Sequence, residues 1–413
     1  MIIVLSTSQS WYHHFFDTLT VKGRAADVIS RTIETWARKN TGWFPVVSIT
    51  GPRQSGKSTL VRSAFPEYAY VNLEDATARQ MALDDPVGFI RNRPRRLAVD
   101  EAQLAPELFN MIQVVSDETG EPGQYILSGS QNFLLLKQIT QSLAGRVALL
   151  RLLPLSYREA LSADSELTVS DFCLRGGYPR LYDIEIPPSV YFDYYVDTYL
   201  TRDVSGYVDP RNLATFRAFL AVCAVTCGGL LNVTSLANTV GVSTKTARSW
   251  LSVLQSSYIL FELPPYHANL RKRLTRTPKL YFYDTGLLCH LLGIKSGEQL
   301  DGSKARGAVY EDLVISETMK RHLNAGRNPS LFFYRDDSKI EVDLVDTTDP
   351  AHPELVEIKS SATYRATFMR HLPSVGESLG IRPDGQAVVM QSETTETVHD
   401  RRVWAMRDWL LRE

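Results

Sequence analysis

Cysteine is scarce in this chain: four among 413 residues, at Cys173, Cys223, Cys227 and Cys289, with no C-x-x-C pair. That usage argues against a disulfide framework and a zinc–thiolate cluster, and fits free thiols in a reducing compartment. Long apolar runs are also missing, so no stretch reaches the ~18 consecutive apolar residues of a membrane span. The apolar start, Met1-Ile2-Ile3-Val4-Leu5, has neither the basic flank nor the long apolar centre of an export signal. The expectation is a cytoplasmic protein without a membrane partner. An excess of either charge is lacking too: 45 Lys and Arg stand against 46 Asp and Glu, for a net charge of -1. A wholly basic nucleic-acid coat is thereby excluded, while local basic patches remain open. No internal repeat or low-complexity tract interrupts the chain.

The hydrophobic fraction is 44% and the charged fraction 22%, which places the chain among globular proteins rather than disordered ones. Its length exceeds what one core usually serves, so several domains are expected. Residues 1–44 read as an N-terminal segment with a helix over 24–39. Over 45–154, short apolar runs alternate with helix-length stretches: Val46-Val47-Ser48-Ile49, Tyr70-Val71-Asn72-Leu73, Leu97-Ala98-Val99, Tyr125-Ile126-Leu127 and Val147-Ala148-Leu149-Leu150. This is the pattern of buried parallel strands joined by crossover helices, an α/β fold. Residues 155–210 read as a helical linker, 211–280 as a helix-turn-helix module ending in a strand, and 300–413 as a second α/β domain. In the last, strands are expected near 331–335, 339–345, 354–359 and 387–390, followed by a C-terminal helix.

The sharpest chemical signal is Gly51-Pro52-Arg53-Gln54-Ser55-Gly56-Lys57-Ser58, which fits G-x-x-x-x-G-K-[ST] at every fixed position. Such a loop wraps phosphate in backbone N–H groups, so glycine is needed where the chain turns tightly. Lys57 is expected on the β- and γ-phosphates of ATP and the Ser58 hydroxyl on Mg²⁺, with Thr59 next in the helix whose N-terminal end faces the anion. An apolar strand before the loop and a helical pattern after it supply the required context. At the end of the third apolar run, Asp100 is the expected magnesium partner and Glu101 the residue that orients the attacking water. Ser128 ends the fourth run and is assigned to sensing the γ-phosphate. Arg146 is a candidate for stabilising transition-state charge, in its own chain or across a homo-oligomer.

Two further constellations stand out. In 233–254 a turn at Gly241 separates two helical patterns, and Ser243 is a good N-cap for the second. There Ala247, Trp250, Leu251 and Leu254 form a buried stripe. Lys245 and Arg248 fall off it, where a recognition helix of a winged variant meets DNA. Arg271, Lys272, Arg273, Arg276 and Lys279 form a basic run suited to phosphate contacts. Toward the C-terminus, the period of two sets Glu341 and Asp343 on one strand face, and Glu357 and Lys359 on another. Adjacent strands bring Asp343, Glu357 and Lys359 together, with Glu311 on the preceding helix able to join them. Repelling carboxylates of this kind call for a divalent cation such as Mg²⁺. A solvated sheet face is the competing explanation.

The chain resembles prokaryotic AAA-type ATPases whose C-terminal half is a domain of unknown function, over roughly residues 24–392. The resemblance rests on the phosphate loop, Val99-Asp100-Glu101-Ala102-Gln103, Leu127-Ser128-Gly129-Ser130 and Leu143-Ala144-Gly145-Arg146. It extends through Gly176-Gly177-Tyr178-Pro179, Lys279-Leu280-Tyr281-Phe282-Tyr283-Asp284-Thr285-Gly286, and Glu341-Val342-Asp343 with Glu357-Ile358-Lys359. It implies a P-loop NTPase sheet, a winged helix and a restriction-endonuclease-like domain. Its D…(D/E)xK signature falls on Asp343, Glu357 and Lys359, with Glu311 as the helical acid. Two functions follow as expectations. One is an ATPase driving a DNA-interacting half that carries a metal-dependent nuclease. The other is a nucleotide-switched DNA- or protein-binding regulator without cleavage. Asp284 has no chemical role in either.

Overall fold

The computed structural model describes residues 28–130, 142–199, 204, 207–267 and 277–413. The five apolar runs form parallel strands β1 (Val46–Thr50), β2 (Ala69–Asn72), β3 (Leu97–Asp100), β4 (Tyr125–Gly129) and β5 (Val147–Arg151). Their spatial order is β2-β3-β4-β1-β5, so β4 separates the strands that carry the phosphate loop and the acidic pair. Every residue of β1, β3 and β4 is buried, which explains why these runs are continuously apolar instead of alternating. Phe109, Ile112 and Leu127 pack on one face, and Ile49, Leu60, Val61 and Ile126 on the other. Because the strands are parallel, the segments that follow β1, β3 and β4 all emerge at one edge. That edge is where an open α/β sheet binds its ligands.

The helix expected over 24–39 is seen as Glu34–Asn40. Residues 24–27 lie outside the described residues. Residues 28–33 are not helical, and the Arg31 side chain reaches instead to the phosphate loop and the next domain.

Residues 155–210 are not a linker. Helices Tyr157–Ala163, Val169–Arg175 and Pro188–Tyr199 contribute Tyr157, Phe172 and Phe192 to a core shared with Phe219, Trp250, Phe282, Tyr310 and Trp409. The junction needs glycine: a Cβ on Gly286 would lie 2.6 Å from the Gly176 nitrogen, so two helices meet there backbone to backbone. Asp284 now has an account. Buried beneath that junction, it accepts hydrogen bonds from Gly177 N (2.7 Å) and Leu287 N (2.9 Å), capping helix Thr285–Leu291.

Helices Leu213–Val225, Val233–Val240 and Thr244–Ser256 precede an antiparallel pair, β6 (Leu260–Leu263) and β7 (Lys279–Phe282). The expected turn chemistry is present. Gly241 ends one helix at φ +73°, and Ser243 Oγ accepts from Thr246 N at 3.0 Å to start the next. Ala247, Trp250, Leu251 and Leu254 are buried, whereas Lys245 and Arg248 are exposed.

After the long helix Arg306–Asn324 comes a mixed sheet of β8 (Leu331–Arg335), β9 (Glu341–Asp346), β10 (Glu354–Lys359), β11 (Gln386–Met390), β12 (Glu396–Val398) and β13 (Arg401–Ala405). Its order is β12-β13-β11-β10-β9-β8. The β12–β13 hairpin stands where only a helix was expected. Its turn is His399-Asp400, both at positive φ (48° and 61°), a two-residue hairpin turn without the usual Asn-Gly signature. Among the described residues no helix is long and apolar enough to cross a membrane, and all four cysteines are buried free thiols.

Candidate nucleotide site and acidic cluster

The phosphate loop leaves β1 at Gly51. A Cβ at this residue would lie 2.1 Å from the Leu152 carbonyl oxygen, so no other residue fits beside the chain leaving β5. Gln54 and Gly56 have φ of +60° and +90°, which turns successive peptides inward as an anion cradle requires. Lys57 begins helix Lys57–Ala64 and donates to Gly51 O (3.1 Å) and Pro52 O (2.7 Å), so its ammonium lies in the hollow of the loop. The Ser55 hydroxyl is buried there without a hydrogen-bond partner. Thr59 is exposed one turn further on. Arg53 reaches to 3.9 Å from Glu74.

Asp100 is the convergence point. Its Oδ2 accepts from Ser58 Oγ (2.5 Å) and the Tyr70 hydroxyl (2.6 Å), and its Oδ1 from Ser128 Oγ (2.6 Å). Three strands and the loop helix therefore meet at one carboxylate that is 2% exposed. A magnesium ion fits the Ser58–Asp100 pair, a hydroxyl and a carboxylate set beside a phosphate cradle. Glu101 stands at φ +54°, a conformation rare outside glycine and concentrated at functional sites. Gln103 Nε2 and Ser130 Oγ both donate to its Oε2, the latter at 3.2 Å, which aims the side chain. Tyr70, Gln103 and Ser130 were not singled out from sequence. Gln103 and Ser130 lie inside the quoted motifs, but nothing in the chain pattern marks Tyr70.

Arg146 stands away from its own chain's phosphate loop, which leaves only the role across a homo-oligomer open to it. It precedes β5, and its carbonyl pairs with Val46 N at the start of β1, the sheet edge opposite the phosphate loop. Its guanidinium is bidentate to Asp117 (2.5 and 2.9 Å). It is therefore not part of its own chain's nucleotide site.

The loop is also gripped from outside the sheet. Arg31 donates from its two terminal nitrogens to Ser55 O and Leu153 O, both at 2.7 Å, and its Nε stands 3.3 Å from Glu159. Burial alone would raise Glu159. The Arg31 charge and N–H donors from Ser156 and Thr32 outweigh it and hold the carboxyl below its ordinary value. The Tyr191 hydroxyl donates to Gln54 Oε1 at 2.6 Å, and Tyr258 bonds Thr50 Oγ1 at 2.8 Å.

The second constellation assembles as the spacing predicts. Ile358 N donates to Asp343 Oδ2 (2.7 Å), and Lys359 Nζ lies 2.5 Å from Glu357 and 3.8 Å from Asp343. Burial, then the charge of Asp343, pushes Glu311 up to about 7 and Glu357 up to about 8. A buried lysine also stands among these carboxylates. Lys279 is 3% exposed, with Nζ 3.0 Å from Glu311 and 2.7 Å from Glu341. Burial would lower Lys279, but Glu311, Asp343 and Glu341 hold it above its ordinary value. It is no phosphate contact. Among the described residues no three His, Cys, Asp or Glu side chains are grouped as a metal cage. Arg271, Lys272, Arg273 and Arg276 lie outside the described residues.

Residues 44–161 match the AAA domain family, 166–298 a domain of unknown function (DUF8612) and 306–409 a second one (DUF4143). An uncharacterized protein of Mycobacterium tuberculosis is 32% identical over 324 residues, covering 77% of this chain and 71% of that one. An uncharacterized protein of Methanocaldococcus jannaschii is 24% identical over 354 residues, covering 78% and 76% respectively. The Walker-type ATPase PABY2304 of Pyrococcus abyssi aligns with a TM-score of 0.44 at 14% identity, over 65% of this chain and 97% of that one. With the parallel sheet, the glycine-lined loop and the mixed C-terminal sheet in place, the chain belongs to the prokaryotic AAA-type P-loop ATPases that end in a C-terminal domain of unknown function.

Proposed function

We propose that this protein hydrolyses ATP with Mg²⁺ and uses the nucleotide state to switch a DNA-contacting distal half. One observation carries the hydrolytic reading: Asp100 gathers the Ser58 and Ser128 hydroxyls while Glu101, held by Gln103 and Ser130, stands beside it. Magnesium, when bound, would supply positive charge that offsets the phosphates. Ser58 and Asp100 would hold the ion and Lys57 would neutralise phosphate, while Ser128 fixes the orientation of Asp100. Glu101 orients a water for in-line attack and takes its proton. Lys57→Ala should abolish ATP binding, and Glu101→Gln should keep binding while turnover falls by about 10²–10⁴-fold. Unchanged turnover in Glu101→Gln would remove its role.

The DNA reading rests on the exposed pair Lys245 and Arg248 on the outer face of helix Thr244–Ser256, followed by β6–β7 as the wing. On this reading the distal sheet corresponds to the restriction-endonuclease-like fold that the resemblance implies, with Asp343, Glu357 and Lys359 as its D…(D/E)xK residues and Glu311 as the helical acid. Because Lys279 neutralises that cluster, a switch without cleavage is favoured over a nuclease. Nicking of plasmid DNA by the purified protein with Mg²⁺ or Mn²⁺, lost in Asp343→Ala, would reverse that preference. The four buried thiols support a reducing, cytoplasmic setting.

A further inference from the structure

We infer that Arg31, twenty residues before the phosphate loop, is a positioning residue for nucleotide binding: it sets the peptide whose N–H faces the phosphates. This rests on the loop being a nucleotide site. The side chain is 6% exposed and makes a 2.7 Å hydrogen bond to the Ser55 carbonyl, a charge-assisted contact of the strong class. In a planar trans peptide the carbonyl and the following N–H point in opposite directions. Turning Ser55 O toward the guanidinium therefore turns Gly56 N–H the other way. Arg31 and Pro179 line one side of Gly56, each within ordinary contact distance (3.6 Å) of where a Cβ would stand. The opposite side is the hollow that holds the Lys57 ammonium and the buried Ser55 hydroxyl.

The loop cannot fix this peptide alone. Inside it Ser55 N reaches Pro52 O only at 3.4 Å, and Gly56 at φ +90° has no side chain to restrain it. Arg31 is itself held rigidly, by Leu153 O after β5 and by Glu159 of helix Tyr157–Ala163. The positive charge also polarises the peptide, which makes its N–H a better donor to an anion.

The test compares Arg31→Met with Glu159→Gln in the full chain, reading ATP affinity by calorimetry and thermal midpoint without nucleotide. Glu159 braces Arg31 but does not touch the loop. Arg31→Met should weaken ATP binding by about 10- to 100-fold, the worth of one hydrogen bond to a charged group. KM should rise with kcat at saturating ATP retained, because the contact serves ground and transition states alike. Glu159→Gln should lose thermal stability yet bind ATP within about threefold of wild type, since both carbonyl contacts of Arg31 survive. Equal affinity loss in the two variants, tracking their midpoints, would reduce Arg31 to a structural brace and overturn the inference. So would wild-type affinity in Arg31→Met. Should that variant not fold, Arg31→Lys replaces it: one ammonium cannot serve both carbonyls as the guanidinium does, and undiminished affinity would again overturn the claim. Failure of the wild-type protein itself to bind ATP is a different result and removes the nucleotide reading beneath it.

Discussion

Raising the pH should destabilise the distal domain through Glu357, and Glu357→Gln should remove that effect. Burial and the neighbouring Asp343 charge lift Glu357 to about 8 from an ordinary 4.5. A folded-state value above the unfolded one means the stabilising contribution is whole below about pH 4.5 and is lost as pH rises toward 8. In that window the unfolded chain has released the proton and the folded chain retains it. At 1.36 kcal/mol per unit, the loss between about pH 5 and 7.5 comes to about 3 kcal/mol. Glutamine keeps the shape and cannot ionise. The assay is urea unfolding followed by tryptophan fluorescence at several pH values, Trp404 and Trp409 lying in this domain. The two proteins should coincide near pH 5, with the variant more stable by the stated amount near 7.5. Parallel profiles, or a wild type that gains on its variant with pH, would refute the reasoning. Magnesium sharpens the experiment: stabilisation of the wild type alone near pH 7.5 would mean that an ion can displace the lysines.

Lys279→Met strips buried Glu311 of its ammonium partner and leaves Glu341 to Arg335 alone, and should cost about 3–5 kcal/mol of stability, seen as a lower urea midpoint. Gly286→Ala puts a Cβ 2.6 Å from Gly176 N, and the variant should show a depressed thermal midpoint with the ATPase sheet unaltered by hydrogen exchange. Arg146→Ala removes only a partly exposed pair with Asp117; ATP turnover should stay within about twofold of wild type, and a larger fall would restore Arg146 to the mechanism. Lys245→Ala with Arg248→Ala should weaken binding to DNA of any sequence and flatten the salt dependence by about two phosphate contacts, measured by anisotropy at several salt concentrations.

What the sequence discloses here follows the range of the interactions. The phosphate loop, β1 and β3 are legible because local chemistry dictates them: a glycine where Leu152 O lies close, an apolar run buried on both faces. The cap at Ser243 and the stripe from Ala247 to Leu254 are legible for the same reason. Contacts between distant segments are not. Tyr70 reaches Asp100 across 30 residues, and Lys279 reaches Glu311 across 32. Lys279 misleads as well, because a lysine in a basic run reads as solvated until the fold turns it inward. Alternation in β9 and β10 correctly put Asp343 beside Glu357, but period alone is silent on what neutralises them. For Arg146 the motif is clear, yet only strand direction reveals that it precedes β5 while the nucleotide loop follows β1, which takes it away from its own chain's site.

Strand direction also sets the nucleotide site against the distal half. The edge that carries Asp100, Ser128 and the phosphate loop is the edge against which the middle domain packs. Thr50, the last residue of β1, bonds Tyr258, which stands at φ +58° just beyond the end of helix Thr244–Ser256. One side of that tyrosine touches the residue before Gly51, and the other continues the helix that presents Lys245 and Arg248. Tyr258→Phe removes the hydroxyl while keeping the ring, worth about 1 kcal/mol. If nucleotide state reaches the helix through this contact, the variant should bind ATP and DNA separately as wild type does, while the ATP-dependent change in DNA affinity shrinks. An undiminished change would mean that the coupling runs elsewhere, the Tyr191–Gln54 contact being another bond that joins the loop to this half.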